Sequence, residues 1–515
     1  MLKKLSNTFK VIIFIPLFIY FGKRSFIAFD EGYYILQAKW ILSKGNWIAP
    51  LWFSDIALDR TIGIQFLIAL SQKIFGKADF AIYLPITIAS IFTAYLTYEI
   101  HKELIGDDFA IASPIILSTT FLWINYTNLA TQDIIFSAIV SLGIFATIKA
   151  SRNERNIFFL LSGVWIGLAI MLKTYLTIIP LIGILPFLSY KQFFQRRFFW
   201  YGLLLGLFPF FLWSLLILNN YGYSIYNGLF SKLISLSKNN NFTNPIYYYL
   251  WNIPINIFPW SILLIIGTVS ASKITNNTAK YFLFYYPLIV IFLLSIFSTK
   301  TPYYPLQIYS LLAINSYLGI LFIIQYTNRF IIFSKFFNFI FIPLLIFIFT
   351  ILVKLNYVDI KIDSIEKNYL ILGLTLFSVS WISYNFIRNK KLKVFCILLG
   401  PYLLFSSILQ SGLITDRSKD LRIASQNLIT LEKLQTTKMN TIISDIDNEF
   451  AFSKIIKIHV LMPKLVEGLN SLDELSLNDY AWTTLSKEEI LLKKDLSIIN
   501  KSEIFRPWNL VQKDK

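Results

Sequence analysis

The chain has 515 residues, 56% hydrophobic and only 15% charged, with a mean hydropathy of +0.60; ordinary soluble domains carry about 25% charged residues, so a soluble globular protein is excluded. Its net charge of +18, from 47 basic and 29 acidic side chains, is scattered through short loops and a lysine-rich tail, which fits a neighbour of anionic lipid and not a nucleic-acid binder. One cysteine, Cys396, and two histidines, His101 and His459, exclude an intramolecular disulfide, a cysteine metal cluster and a His-rich metal site.

Lys3, Lys4 and Lys10 precede an apolar stretch that lacks a small-residue cleavage site, the pattern of a retained signal anchor. Apolar windows then predict about thirteen spans, near 9–28, 79–100, 109–128, 131–149, 156–172, 174–190, 198–218, 254–272, 280–298, 303–325, 330–353, 368–387 and 393–412. With the N-terminus in the cytoplasm, the inside loops hold Lys149, Arg152 and Arg155, then Lys191, Arg196 and Arg197. Further along come Lys273, Lys280, Arg329, Lys335, Arg388, Lys390, Lys391 and Lys393. This is the basic inside that topology demands; the weak loop holds His101, Lys102, Glu103, Asp107 and Asp108. An odd number of spans puts the C-terminus outside.

Between the first two spans, residues 31–43, with Tyr34, Ala38 and Ile41 on one side, and 62–75 predict two amphipathic helices. Both are too short to span and are expected in the interface, with Trp47 and Trp52 between them at headgroup depth. A second outer segment, near 219–253, holds Asn239, Asn240 and Asn241 and the cluster Tyr247, Tyr248 and Tyr249. Beyond 412 the composition becomes mixed in charge. Residues 418–435 predict a helix, and Thr441–Ser444 and Ile455–Ile458 short strands. The expected architecture is an all-α polytopic transmembrane domain, 1–412, followed by a small extracytoplasmic accessory α/β domain, 413–515. The acids Asp445 and Asp447 of that domain read as surface loop charges rather than a metal site.

The strong charges of the apolar part fall at span ends, all on the outer side in this topology: Asp30, Glu31, Asp133, Lys173 and Lys300. Charge at mid-span would imply a conduction or proton path; charge at helix ends builds a polar site at the membrane surface. A carboxylate at such a boundary can serve as general base on an acceptor hydroxyl; acids in a first helical turn are also favoured by the helix dipole alone. The same two readings apply to Asp133, which a very short loop holds close to the membrane. Lys173 either snorkels or meets an anion. Lys300, in Ser298-Thr299-Lys300-Thr301-Pro302-Tyr303-Tyr304-Pro305, sits in a rigid turn suited to phosphate, and Arg60 offers a second contact. Cations on a lipid-linked phosphate leaving group and a carboxylate on an incoming hydroxyl make one reaction, group transfer from a lipid donor.

Over most of the first 325 residues the chain resembles the GT-C superfamily of polytopic glycosyltransferases, in its protein O-mannosyltransferase and aminoarabinose (lipid A) transferase branch. The ordered motifs are Asp30, Glu31 and Tyr34; Gly45, Trp47, Ile48 and Pro50; and Asp59, Arg60 and Thr61 in place of Glu-Lys-Pro. Asp133, Lys173-Thr174, Pro259-Trp260, and Lys300, Pro302 and Tyr304 follow. Tyr33 stands where the aminoarabinose branch has Arg, and Gln307 replaces a Pro. The resemblance implies a GT-C fold and an inverting hexosyl- or pentosyltransferase of the inner membrane, read as a monomer. Its donor would be a polyprenyl-phosphate sugar and its acceptor lipopolysaccharide, another glycolipid or a protein. It implicates Asp30 as base with Glu31 and Asp133 as further catalytic acids, and Tyr34, Arg60, Lys173, Lys300 and Tyr304 around the donor. Whether a divalent cation bridges Asp30, Asp133 and the phosphate stays open. A polysaccharide polymerase or ligase would carry a large late outer loop with arginines. A lipid-linked-sugar transporter would carry mid-span charge.

Overall fold

The computed structural model describes residues 13–20, 22–53, 55–57, 60–76, 78–223, 226–231, 234, 243–360, 362–432, 434–435, 437–493, 495–500 and 502–514. Lys3, Lys4, Lys10, Asp59 and Asn239–Asn241 lie outside the described residues. The chain divides into two compact units. One comprises Met1–Gly22, Ile86–Asn128 and Gln132–Ile414; the other Lys23–Pro85, Leu129–Thr131 and Thr415–Lys515. The division does not follow the chain boundary near 412: the first predicted outer segment packs with the C-terminal residues.

The first unit is helical. Among the described residues of the whole chain, eight helices are long and apolar enough to cross a membrane. The count is nine if the pair Tyr248–Asn256 and Ser261–Ala271, bent by 117°, makes one span. The protein is a multi-pass membrane protein, with fewer clear spans than the thirteen expected. The differences have local causes. Residues 109–128 form two short helices, Ala112–Ser118 and Phe121–Tyr126, separated by extended Thr120. The first predicted span is helical only over Ile15–Phe18 among its described residues. Asn156–Lys173 and Ile178–Tyr190, expected as separate spans, are joined directly by a 3-10 turn, Thr174–Thr177. Close helix packing is set by glycine: a Cβ on Gly167 would lie 2.1 Å from the Gly206 carbonyl carbon, and one on Gly202 1.9 Å from the Leu160 oxygen. The Asn156–Lys173 and Arg197–Tyr221 helices thus meet backbone to backbone through Gly-x-x-x-Gly spacings, the contact that replaces hydrophobic burial in lipid.

In the second unit, a five-stranded mixed sheet joins Val466–Leu469, Met439–Ile442, Tyr480–Thr483, Asn509–Lys513 and Leu496–Ile498 in that order. The first three are mutually parallel and the last two antiparallel to their neighbours. Its core gathers Met439, Ile455, Ile458, Trp482, Trp508 and Leu510. The strand expected at Ile455–Ile458 is instead part of a helix, Glu449–Leu461. Three isoleucines within four positions, Ile455, Ile456 and Ile458, resemble a strand locally, but Ala451, Ile455, Ile458 and Met462 recur at helical spacing and all face the core, and Asn448 caps the helix through Ala451 N.

The helix Asp30–Lys44 belongs to this unit. It starts with two acids that complement its dipole and stops at Gly45, whose φ of +70° only glycine adopts freely. Gly32 is required too: a Cβ there would stand 2.6 Å from Ile456 and 2.8 Å from the Ile27 carbonyl. Lys39 donates to the carbonyls of His459, Val460 and Met462 at 3.3, 2.7 and 3.0 Å, closing the end of the Glu449–Leu461 helix. The expected helix at 62–75 is Gly63–Phe75.

Candidate active site

Each unit holds one cluster of the sequence-predicted residues. In the second unit, Phe29 has φ +59° and ψ −121°, a conformation that costs a residue with a Cβ about 1–3 kcal/mol. This turn separates the fates of the two acids that follow. Glu31, 1% exposed, accepts from Ile27 N at 2.8 Å, Tyr83 OH at 2.9 Å and Ala130 N at 3.0 Å. Burial pushes its carboxyl above the usual range, against the opposing pull of those donors and of the Arg417 charge. Glu31 therefore ties three chain segments together, and its lone pairs are committed.

Asp30 keeps half of its side chain exposed, with Arg60 Nη1 3.7 Å from Oδ1. The Arg60 guanidinium lies 5.1 Å from the ring centroids of both Tyr33 and Tyr34, a cation–π arrangement that fixes its position. An accessible carboxylate beside a positioned cation can take a proton while the cation meets an anion. Tyr83 and Arg24, whose guanidinium lies 4.1 Å from the Tyr83 ring centroid, carry no sequence signal that marks them. Tyr33 and Trp52 have ring centroids 4.9 Å apart; the sequence marks Trp52 for headgroup depth and Tyr33 as a departure from the family's Arg, and neither for contact with the other.

In the first unit, Asp133 opens the helix Asp133–Asn153 and Lys173 closes the helix Asn156–Lys173. The two side chains form a buried ion pair. The Lys173 ammonium lies 5.4–5.5 Å from the ring centroids of Phe136, Tyr303 and Tyr304. Thr174 repeats the unusual backbone of Phe29, with φ +39° and ψ −102°, so that the helix breaks directly after the cation. Lys300 is buried and donates to the carbonyls of Asn244 at 2.9 Å and Phe297 at 2.6 Å. Desolvation holds its ammonium below the ordinary lysine value. Tyr249 OH and Asn244 Nδ2 donate to the carbonyls of Thr301 and Lys300, both at 3.1 Å, and brace that turn.

The structure thus brings Asp133, Lys173 and Tyr304 together in one cluster and Asp30, Glu31, Tyr34 and Arg60 in the other; Lys300 faces backbone carbonyls. Among the described residues no group of three His, Cys, Asp or Glu side chains is placed to hold a metal ion. Asp445 accepts from Thr483 Oγ1 at 2.6 Å and Thr484 N at 2.8 Å, linking the ends of two parallel strands.

Residues 59–214 match the family model described as dolichyl-phosphate-mannose-protein mannosyltransferase. An uncharacterized protein of Aquifex aeolicus is 22% identical over 59% of this chain and 62% of its own length. The undecaprenyl phosphate-alpha-4-amino-4-deoxy-L-arabinose arabinosyl transferase of Edwardsiella ictaluri is 26% identical over 30% of each chain. The chain therefore spans less than two thirds of these relatives. Among solved structures, ArnT from Cupriavidus metallidurans bound to undecaprenyl phosphate superposes with a TM-score of 0.77. It is 12% identical, over 98% of this chain and 97% of that one. The fold is that of ArnT, and the resemblance to GT-C proteins of the protein O-mannosyltransferase and aminoarabinose-transferase type holds, the first in the family model and the second in the Edwardsiella relative.

Proposed function

We propose that the chain is an inverting glycosyltransferase of the inner membrane, with its N-terminus cytoplasmic and its C-terminal residues extracytoplasmic. It takes a hexose or pentose from a polyprenyl-phosphate donor and passes it to a hydroxyl of lipopolysaccharide, another glycolipid or a protein. The observation that carries this reading is the asymmetry of the acid pair: Glu31 buried with three donors, Asp30 half exposed beside Arg60. In the step, Asp30 removes the acceptor hydroxyl proton as the oxygen attacks the anomeric carbon. The bond from that carbon to the phosphate oxygen breaks, and the phosphate leaves with the electron pair. Arg60, beside Asp30, is assigned to the leaving phosphate, whose growing charge it stabilises, and Tyr34 to donor binding; Lys173, Lys300 and Tyr304 carry donor roles only as the resemblance implies them. A fold shared with a protein that binds undecaprenyl phosphate supports the donor class.

The test is transfer by the purified chain from a polyprenyl-phosphate sugar to a cell-envelope extract, read by mass spectrometry. A sugar adduct that requires Asp30 is expected. Absence of any adduct, with the donor binding but intact, would overturn the transferase reading.

A further inference from the structure

The side chains around Asp30 form a continuous aromatic surface that none of the assignments above uses. Phe29 and Phe452 have ring centroids 6.2 Å apart, Phe452 and Trp52 5.8 Å, and Trp52 and Tyr33 4.9 Å. Tyr33 leads to the Arg60 guanidinium at 5.1 Å, and Arg60 to Asp30 at 3.7 Å. Phe29 is 42% exposed, and Tyr33, Trp52 and Phe452 each stay partly exposed. Four rings in mutual contact that each keep part of their surface open forgo full burial at one place, and Phe29 adds a strained backbone. Phe452 comes from the Glu449–Leu461 helix, so the C-terminal residues help build this surface.

We propose that this surface is an acceptor subsite that binds a pyranose ring, and hence that the acceptor is a saccharide-bearing molecule rather than a bare peptide hydroxyl. The ring C–H bonds of a pyranose carry small positive charge and are drawn to the negative faces of aromatic rings. Its hydroxyls need charged hydrogen-bonding groups at the rim, which Asp30 and Arg60 supply. A lipid tail on the same rings would set hydrocarbon against the charged rim of Asp30 and Arg60, a desolvation cost that a hydroxylated ring avoids by hydrogen bonding. The assignment rests on the transferase reading, because it identifies the hydroxyl presented to Asp30 as one on the stacked sugar.

Saturation-transfer NMR on the full chain in detergent tests it, with methyl α-D-glucopyranoside, methyl α-D-mannopyranoside and a serine-rich peptide as probes. Ring-proton saturation of a glycoside is expected in the wild type, reduced tenfold or more in Trp52→Ala and Phe452→Ala and retained in Trp52→Phe. The proposal is overturned by no glycoside signal in the wild type, by a signal unchanged in both alanine variants, or by a Trp52-dependent signal from the peptide. Undecaprenyl phosphate binding on the same wild-type sample separates the two ideas. If it binds and no glycoside does, only the subsite fails; if it does not bind, the transferase reading fails.

Discussion

At the residue scale, the adjacent carboxylates Asp30 and Glu31 differ in everything but sequence. Glu31 is enclosed by Ile27, Tyr83 and Ala130, while Asp30 faces solvent beside Arg60. Asp30→Asn should therefore keep the fold and donor binding while turnover falls by about a hundredfold or more, the usual contribution of a positioned base. Near-normal transfer would move the role to another acid. Tyr83→Phe removes one of three donors to Glu31 and should cost about 1.5–3 kcal/mol of stability, as loss of a hydrogen bond to a charged group does. Thermal unfolding of the two proteins would measure that loss, and an unchanged melting temperature would show that the bond carries nothing. The sequence marked Asp30 and Glu31 together because both follow an apolar run. It could not rank them, because the partners of Glu31 come from positions 52 and 99 residues away.

At the element scale, the sheet unit contains a pH-sensitive residue remote from Asp30 in sequence. His459 is buried, its Nε2 lies 2.8 Å from Thr441 Oγ1, and burial with the Lys39 charge lowers its pKa to about 3. An unfolded histidine takes a proton near pH 6.5, so between that value and about 3 the unfolded chain binds more protons. Stability should fall by about 1.4 kcal/mol for each unit of pH lowered through that window. Melting curves from pH 7 to 5 should show the slope, reduced in His459→Gln; equal slopes would exclude His459 as its source. Helix contacts in the other unit are as exacting. Gly167→Leu should separate the Asn156–Lys173 and Arg197–Tyr221 helices and cut the yield of folded protein in detergent, whereas Leu168→Ala beside it should not. Equal yields would remove the close-approach argument. The Gly-x-x-x-Gly spacings were visible in the sequence at Gly163, Gly167, Gly202 and Gly206. The helix Glu449–Leu461 reads locally as a strand because a short isoleucine-rich run has no periodicity of its own; only the wider spacing of core residues decides it.

At the scale of the whole molecule, the expected orientation rests on basic inside loops, and the loop that departs from the rule is compensated. Glu103 pairs with Lys149 at 2.5 Å and Arg152 at 3.1 Å, and Lys102 with Asp107 at 3.5 Å. Alkaline phosphatase fused after residue 420 should be active and β-galactosidase at the same place inactive; the reverse would put the C-terminal residues, with the surface they share with Asp30, in the cytoplasm.

By itself the sequence determined the solvent, the family resemblance and the residues worth testing. Hydropathy, charge position and motif order are local properties that survive without coordinates. The tertiary structure decided which acid is buried, that Lys173 faces Asp133 and three rings, and that residues 23–85 pack with 415–515. Each of these depends on side chains distant in the chain meeting at a few ångströms, and burial and pairing, which set what a charged group can do, exist only once they meet.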